Sequence, residues 1–314
     1  MISVEIIDFT NAEHRRKSYG GANGKKISVI YNNELYMLKF PSFAKQNKDM
    51  SYSNSCFSEY LGCKIFESIG IPAQKTLIGT YKSKDKEKIV VACHDFTRPG
   101  IVLQDFASFK NQIIDSENNG YGTELKYILE TFENQSILDP IKLQEHFWDM
   151  FIVDALIGNW DRHNGNWGFL YNTETDEVSL APIYDCGSSL YPQADVDIMK
   201  KTLTDGNEMD LRIFDIPTSA IRVNNNRIRY YDFISSLANK ECNKALLRIL
   251  PKISLNKIGR IIDETPFISN LQKNFYKTMI GERKTRILDY SSDLLKEREV
   301  IIGKHIENKN FYDA

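Results

Sequence analysis

The sequence has few cysteines, and they form no recognisable pattern. Five are present, and no two of them have the CxxC spacing of a structural zinc site or a redox motif. They are Cys56, Cys63, Cys93, Cys186 and Cys242. Disulfide frameworks of secreted proteins use even sets of cysteines, so this odd, scattered set predicts free thiols and folding in a reducing compartment.

Long apolar runs and a leader pattern are also missing. The stretch MFIVDALIG comes nearest to the roughly 18 apolar residues of a spanning helix, and Asp154 interrupts it. The first residues, MISVEIIDFTNAEHRRK, carry acids early and have no basic segment ahead of an apolar one, unlike a cleaved signal peptide. We therefore expect no membrane span. The protein is expected to be cytoplasmic, or exported without a cleaved signal peptide and active in another cell.

The charge balance and the histidines are equally unspecialised. Forty basic and 42 acidic side chains leave a net charge of -2 over 314 residues, which gives no bulk attraction to nucleic acid. Four scattered histidines lack the spacing of a zinc site such as HExxH. These are His14, His94, His146 and His305. The length allows a large core, either as one domain or as two packed lobes.

The N-terminal part has the pattern of short strands around one helix. β-branched and aromatic residues alternate with polar ones in KISVIYN, ELYMLKF, KTLIGTY and KIVVACHDF. Asn32 and Asn33 separate the first two runs and predict a tight hairpin turn. The segment SNSCFSEYLGCKIFESIG has apolar residues at helical spacing and closes at Gly70. The pattern predicts a small antiparallel sheet with one amphipathic helix.

From residue 101 the pattern becomes mainly helical, as in DFASFKNQII, TELKYILETF and PIKLQEHFWDMFIVDALIG. GFLYN and SLAPIYDCG flank a polar turn and predict one short hairpin. Residues 215–230 predict an exposed loop, with helices again over 231–303. Pro99 and Gly100 mark a junction, so we expect an α+β chain with a β-rich part over 1–97 and a mainly helical part over 98–314. The cleft between them is the expected position of a ligand site.

Two polar segments carry the residue types that phosphoryl transfer requires. That reaction needs a divalent ion on oxygen ligands and a carboxylate that orients the attacking hydroxyl. In DRHNGN, Asp161 is the candidate carboxylate, Asn166 offers an amide oxygen to Mg²⁺, and His163 holds the loop or contacts a phosphate. In YDCG, Asp185 is the candidate metal carboxylate. A polar turn capped by Asp161 is the alternative for the hexapeptide alone.

Three further features precede these segments in the order typical of kinases. GGANGKK is a loop whose backbone N–H groups can cover phosphates, although it matches neither GxxxxGK[ST] nor GxGxxG and also suits a plain hairpin turn. Lys39 lies in the strand YMLKF, and Glu59 follows 20 residues later on the predicted helix. An ion pair between them positions the lysine on the α- and β-phosphates. In the alternative, Lys39 snorkels from an edge strand and Glu59 faces solvent.

The sequence resembles the HipA-like serine/threonine kinases in GGANGKKIS, NNELYMLKFP, CFSEY, FWDMF, GNWDRHNGNWGFL, YDCGSSLYPQAD and IIDETPF. The resemblance implies a bilobal, protein-kinase-like fold. By the resemblance, Asp161 is the catalytic carboxylate, Lys39 contacts the ATP phosphates, and Asn166 and Asp185 hold Mg²⁺. The residue pattern adds His163 and Glu59 to the expected catalytic set. The implied ATP contacts are Gly21, Ala22, Asn23, Gly24, Lys25, Lys39, Cys93, His94, Asp95, Phe96, His163 and Tyr184, with residues 21–25 as the glycine-rich loop and 93–96 as the hinge that meets adenine.

The resemblance also bears on partners. HipA-like kinases carry a further N-terminal subdomain, whereas about 19 residues precede the glycine loop here, so an antitoxin partner is not expected unless a separate chain supplies that part. The family autophosphorylates, often on a serine near this loop; GGANGKK has none, but Ser18 and Ser28 flank it. We expect an ATP- and Mg²⁺-dependent protein serine/threonine kinase that acts on a protein substrate and on itself.

Two alternative functions stay open. DRHxxN also resembles the catalytic loops of phosphatidylinositol, aminoglycoside and choline kinases, which predicts a lipid or small-molecule kinase. A nucleotide-binding interaction protein without catalysis would contain the same ATP site. Phosphate transfer to protein, lipid and small-molecule acceptors distinguishes these functions.

Overall fold

The computed structural model describes residues 6–20, 25–41, 53–83, 86–114, 117–298 and 300–301. The strands are β1 (Ile7–Asp8), β2 (Glu13–Arg15), β3 (Lys26–Tyr31), β4 (Glu34–Lys39), β5 (Thr76–Ser83), β6 (Lys86–His94), β7 (Ile101–Asp105), β8 (Gly168–Asn172), β9 (Val178–Leu180), β10 (Thr218–Val223) and β11 (Asn226–Arg229). The α-helices are α1 (Ser55–Ile69), α2 (Phe106–Ile113), α3 (Leu125–Asn134), α4 (Pro140–Ile157), α5 (Val196–Thr204), α6 (Gly206–Asp210), α7 (Tyr230–Ser235), α8 (Lys240–Ile249), α9 (Leu255–Glu264) and α10 (Asn270–Arg283).

A six-stranded sheet forms the N-terminal part, in the order β1-β5-β6-β4-β3-β2. Its neighbours are antiparallel except for the parallel pair of β1 and β5. Asn32 and Asn33 connect β3 to β4 with φ values of 48° and 63°, the left-handed conformation that a two-residue hairpin turn requires. The predicted hairpin and sheet are confirmed, whereas the parallel pair was not predicted.

Helix α1 joins the sheet to the rest of the molecule. It ends at Gly70, which has a φ of 88° and donates its N–H to the last turn, as predicted for a helix that stops at glycine. One side of α1 packs on β5 and β6, and another side packs on α9. Its buried apolar side chains belong to the same core cluster as those of the C-terminal helices. Movement of α1 is therefore coupled to both parts.

Helix α4 is the most deeply buried helix of the C-terminal part. Asp139 caps its N-terminus by accepting from the N–H of Ile141 at 3.0 Å, and Pro140 occupies the first turn. Gly158 ends it in the left-handed conformation, with a φ of 63°. The chain therefore leaves a rigid, buried helix directly before the DRHNGN segment.

Two segments of the C-terminal part differ from the sequence prediction. β7 pairs with β8 in a three-stranded sheet, although its residues were assigned to the helical region. β10 and β11 form a hairpin within 215–230, which was predicted to be a loop. The predicted β8–β9 hairpin is confirmed, and all five cysteines are free. The boundary at 97/98 stays a prediction.

None of the helices in the described ranges has the length and hydropathy to cross a membrane.

Candidate active site

Lys39 is the centre of a polar cluster between the two parts of the molecule. Lys39 is the last residue of β4, and its neighbours Leu38 and Phe40 pack in a small apolar cluster on the face of the sheet away from α1. Because side chains alternate between the two faces of a strand, Lys39 points toward α1. Its ammonium lies 2.9 Å from Oε2 of Glu59 and 2.8 Å from Oδ1 of Asp185. Three elements that are distant in sequence therefore bring these side chains together.

Glu59 links the lysine to the YDCG segment. Its side chain is 1% exposed, and its Oε1 accepts the backbone N–H of Cys186 at 3.2 Å. A Cβ at Gly187 would lie only 3.1 Å from Oε2 of Glu59, so a larger residue would crowd the carboxylate. Glu59 is thus a buried carboxylate that contacts both Lys39 and this loop, and it does not lie on a solvated helix face.

Asp185 adopts a conformation that is rare for residues other than glycine. Its φ is 57°, in the left-handed region where strain is often associated with functional sites. The side chain is 43% exposed toward the cleft. Burial of the carboxyl raises its pKa, but the nearby Lys39 ammonium outweighs burial and brings the pKa below its usual value. Asp185 is therefore a carboxylate at neutral pH.

The DRHNGN segment presents a second carboxylate to the same space. Burial raises the pKa of Asp161, and the charge of Asp185 raises it further, while His163 and Arg227 oppose the change. Burial and the neighbouring negative charge therefore both disfavour ionisation of Asp161. His163 accepts the N–H of Gly165 through Nδ1 at 3.0 Å, so it holds the loop in shape.

Arg162 connects the DRHNGN loop to the YDCG loop. This role was not predicted from the sequence. It is 4% exposed and pairs with Asp154 of α4 at 3.0 Å. Its guanidinium also donates to the carbonyl of Asn166 at 2.7 Å and to the carbonyl of Tyr184. Burial raises the pKa of Asp154, and Arg162 opposes that rise. The available signal was Asp154 itself, a charge inside the apolar run of α4.

The candidate phosphate loop is only partly within the described residues. Gly21, Ala22, Asn23 and Gly24 lie outside them. Lys25 is described, and its ammonium lies 5.0 Å from the centre of the Phe40 ring, on the outer face of the sheet. The structure therefore does not bring Lys25 to the cluster, because its side chain extends over the opposite face from Lys39.

The backbone of the predicted hinge is used largely by the sheet. Cys93 is fully buried within β6. The N–H of His94 donates to the carbonyl of Lys75 at 2.8 Å, and its carbonyl accepts from the Gln74 side chain at 2.9 Å. Both backbone groups of His94 thus already have a protein partner, although a carbonyl oxygen can accept a second hydrogen bond. The contact of His94 with adenine stays a prediction.

Asp95 and Phe96 directly follow β6. The Asp95 carboxylate accepts from the Tyr19 hydroxyl at 2.7 Å and lies 2.6 Å from the Lys17 ammonium. The rings of Phe96 and Tyr184 are 5.9 Å apart. A separate cavity of about 760 Å³ lies beyond Phe96, lined by β8 and β9, and the charged cluster does not line it.

The donor atoms around Asp185 suit a divalent metal with oxygen ligands. Asn166 donates its Nδ2 to the carbonyl of Asp161 at 2.8 Å, which fixes the amide and leaves its oxygen as a ligand. Lys39 contacts Oδ1 of Asp185, so Oδ2 is the second candidate ligand. No group of three or more His, Cys, Asp or Glu side chains in the described ranges forms a metal cage. Mg²⁺ in phosphoryl-transfer sites takes one or two carboxylates and completes its shell with phosphates and water, so this donor set fits.

Comparison with known proteins identifies the family of this chain. The model of the HipA-like C-terminal domain matches residues 17–253. A curated relative, serine/threonine-protein kinase CtkA of Helicobacter pylori, is 51% identical over 288 residues, which are 91% of this chain and 87% of that protein. This chain belongs to the HipA-like family.

Solved structures support the same assignment of the fold. The crystal structure of a Helicobacter pylori proinflammatory kinase CtkA superposes with a TM-score of 0.87 at 49% identity, covering 93% of this chain and 98% of that one. A chain of the Shewanella oneidensis toxin-antitoxin complex of HipA, HipB and operator DNA has a TM-score of 0.52 at 14% identity, covering 88% of this chain and 66% of that one. The second likeness shows the fold alone. The predicted α+β, kinase-like fold is confirmed.

Proposed function

We propose that this chain transfers the γ-phosphate of ATP to protein hydroxyls at the cluster of Lys39, Asp161, Asn166 and Asp185, with Mg²⁺ as the metal. The chain is a serine/threonine protein kinase, as its similarity to CtkA over nearly its full length supports. The observation that carries the site assignment is the convergence of Lys39, Glu59 and Asp185 within 2.9 Å contacts.

Each residue has a role that follows from its position. Asp161 accepts the proton of the attacking hydroxyl. The hydroxyl oxygen of the acceptor then bonds to the γ-phosphorus as the bond between the γ-phosphorus and ADP breaks. Lys39 moves from Asp185 to the phosphates, while Glu59 keeps its ammonium in the cleft. Asn166 and Asp185 would hold the metal, which when bound offsets the charge of the β- and γ-phosphates.

Transfer from γ-labelled ATP tests this assignment. In the presence of Mg²⁺ the wild type should label a protein acceptor such as casein, with little label on phosphatidylinositol or choline. Asp161→Asn and Asp185→Asn should each lower the rate by roughly 10²- to 10⁴-fold. Asp197→Asn, an exposed carboxylate in the first turn of α5, is the matched control and should keep full activity. Unchanged transfer by both site variants would disprove the site assignment. Preferred labelling of phosphatidylinositol or choline would show that the acceptor is a lipid or a small molecule and not a protein.

We also propose autophosphorylation, with Ser18 as the accessible acceptor of the two serines that flank the glycine loop. Ser18 is exposed, whereas Ser28 is 2% exposed within β3. A buried hydroxyl must leave the sheet before it can react, which slows the reaction at Ser28. Intact mass measurement after incubation with ATP should show added phosphate that Ser18→Ala removes and Ser28→Ala retains. The opposite result would reassign the acceptor.

A further inference from the structure

We propose that Lys26 is a second lysine that binds the phosphate chain of the nucleotide, beside Lys39. The inference deepens the proposed function and rests on the nucleotide lying at the Lys39–Asp185 cluster. The motif GGANGKK contains Lys26, but the family resemblance ends the glycine-rich loop at Lys25 and gives the Lys26 side chain no role.

The register of the sheet carries the first step. Lys26 and Lys39 are directly paired across β3 and β4. Residues paired in this way project from the same face of a sheet, so both lysines face the cleft. Lys25 precedes Lys26 by one residue, and its ammonium lies over the rings of Phe40 and Tyr81 on the outer face. Alternation therefore separates two adjacent lysines.

The surroundings of Lys26 carry the second step. Its ammonium donates to the carbonyl of Gly20 at 2.6 Å, at the entrance to the glycine loop. Burial lowers the pKa of Lys26, and the charge of Lys39 lowers it further, while Asp185 and Glu59 oppose this. Within the described residues no carboxylate lies at ion-pair distance from it. A partly buried cation of this kind gains from an anion that enters the cleft.

Charge balance in the cleft carries the third step. Glu59 already neutralises Lys39 through a buried contact at 2.9 Å. A triphosphate keeps net negative charge even with one divalent metal bound. A further cation on the same face therefore has an electrostatic role that Lys39 alone does not fill. Contact of Lys26 with phosphate would also release Gly20, so nucleotide binding and movement of the loop entrance would be linked.

Calorimetric titration of purified protein with ATP, ADP and AMP tests the proposal. Lys26→Met should weaken ATP and ADP binding by roughly tenfold or more, as expected when a charge-assisted contact is lost, and should change AMP affinity less than twofold. Lys26→Arg, which keeps the charge, should recover most of the affinity. Lys25→Met removes the neighbouring ammonium from the other face and should weaken ATP binding less than Lys26→Met does. Lys88→Met, at an exposed position of β6, is the matched control and should change ATP affinity less than twofold.

Three outcomes would overturn the proposal. They are equal weakening of ATP and AMP by Lys26→Met, a larger effect of Lys25→Met than of Lys26→Met, and no effect of either. Thermal unfolding of each variant checks that the fold is intact, and Lys26→Gln replaces Lys26→Met if the latter unfolds. If the wild type binds ATP with this dependence on Lys26 yet labels no acceptor, the proposed function fails while the binding role of Lys26 stands.

Discussion

The two halves of the candidate site are supported in different ways. On the sheet side, Lys39 is placed by strand alternation, and its partners are Glu59 and Asp185. On the helical side, Asp161 and Asn166 lie on a loop that a buried guanidinium ties to helix α4. The sheet side of the site depends on the pairing register of β3 and β4, and one face of these strands is open to the cleft. The second half depends on a polar network that the core encloses.

This difference indicates where each half is sensitive to change. A cation on a cleft-facing strand without a carboxylate partner in the part of the chain that the structure describes, such as Lys26, can be removed with its main cost in function, because water replaces the lost contact. A buried ion pair that loses one partner leaves an uncompensated charge in the core, which costs stability. The predictions below test this contrast, beginning with the largest expected effect.

Removal of Arg162 should give the largest loss of stability. Arg162→Met leaves Asp154 buried with only the Asn159 amide as a hydrogen-bond partner among the contacts of its side chain in the described region. The free energy of unfolding should fall by about 3–5 kcal/mol in urea denaturation. Arg248→Met, which breaks a pair with the partly exposed Asp149, should cost about 1 kcal/mol or less. Equal losses would show that the helical half is not specially dependent on its buried pair.

Crowding of the contact between α1 and the YDCG loop should have the next largest effect. A Cβ at Gly62 would lie 2.5 Å from Cβ of Cys186 and 3.2 Å from Oγ of Ser189. Gly62→Ala should therefore lower the free energy of unfolding by about 1–3 kcal/mol and displace Asp185. Gly259→Ala in α9, where nothing lies within 4 Å of the new Cβ, should stabilise the protein by up to about 1 kcal/mol. A neutral Gly62→Ala would mean that α1 is not held against this loop.

Loss of the Glu59 charge should reduce activity less than loss of Lys39. Glu59→Gln retains an oxygen for the N–H of Cys186 but no longer pairs with the ammonium. We expect kcat/KM to fall about tenfold, against roughly a hundredfold or more for Lys39→Met. Glu67→Gln, an exposed position on the same helix, is the control. An effect of Glu59→Gln as large as that of Lys39→Met would show that Glu59 does more than position the lysine.

The smallest effect concerns the pH dependence of stability. Burial, aided by the charge of Arg162, lowers the pKa of His146 to about 4, below the unfolded value of about 6.5. The unfolded chain then binds more protons between these values, so the contribution of His146 to stability is complete above pH 6.5 and is lost as the pH falls toward 4. We expect His146→Gln to reduce the difference between the free energies of unfolding at pH 7 and at pH 5, both measured by urea denaturation. An unchanged difference in His146→Gln would show that this histidine does not carry the pH dependence.

Local patterns predicted the strands and helices whose signal lies within a few residues. The hairpin at Asn32 and Asn33 and the end of α1 at Gly70 are examples. The same chemistry recurs at Asn224 and Asn225, whose φ values of 52° and 64° turn β10 into β11, but the polar flanks led to a loop prediction. β7 was missed because its pairing partner β8 is distant in the chain.

The sequence indicated candidate residues for the site, but not the face of the sheet on which each of them lies. Spacing and order pointed to Lys39 and Asp185, whose contact the structure shows. The choice between Lys25 and Lys26 depends on which face of the sheet each lysine takes. Strand alternation predicts that the two lysines lie on opposite faces, but it does not predict which of them faces the cleft. Arg162 was missed because its role depends on Asp154 and on two carbonyls that only the folded chain brings together.

The most direct test of the account is a crystal structure with Mg²⁺ and a non-hydrolysable ATP analogue. We predict one metal ion bound by oxygens of both Asn166 and Asp185 at about 2.0–2.1 Å, with Lys39 and Lys26 on the phosphates. Binding of the nucleotide in the cavity beyond Phe96, or a metal site without Asp185, would contradict it.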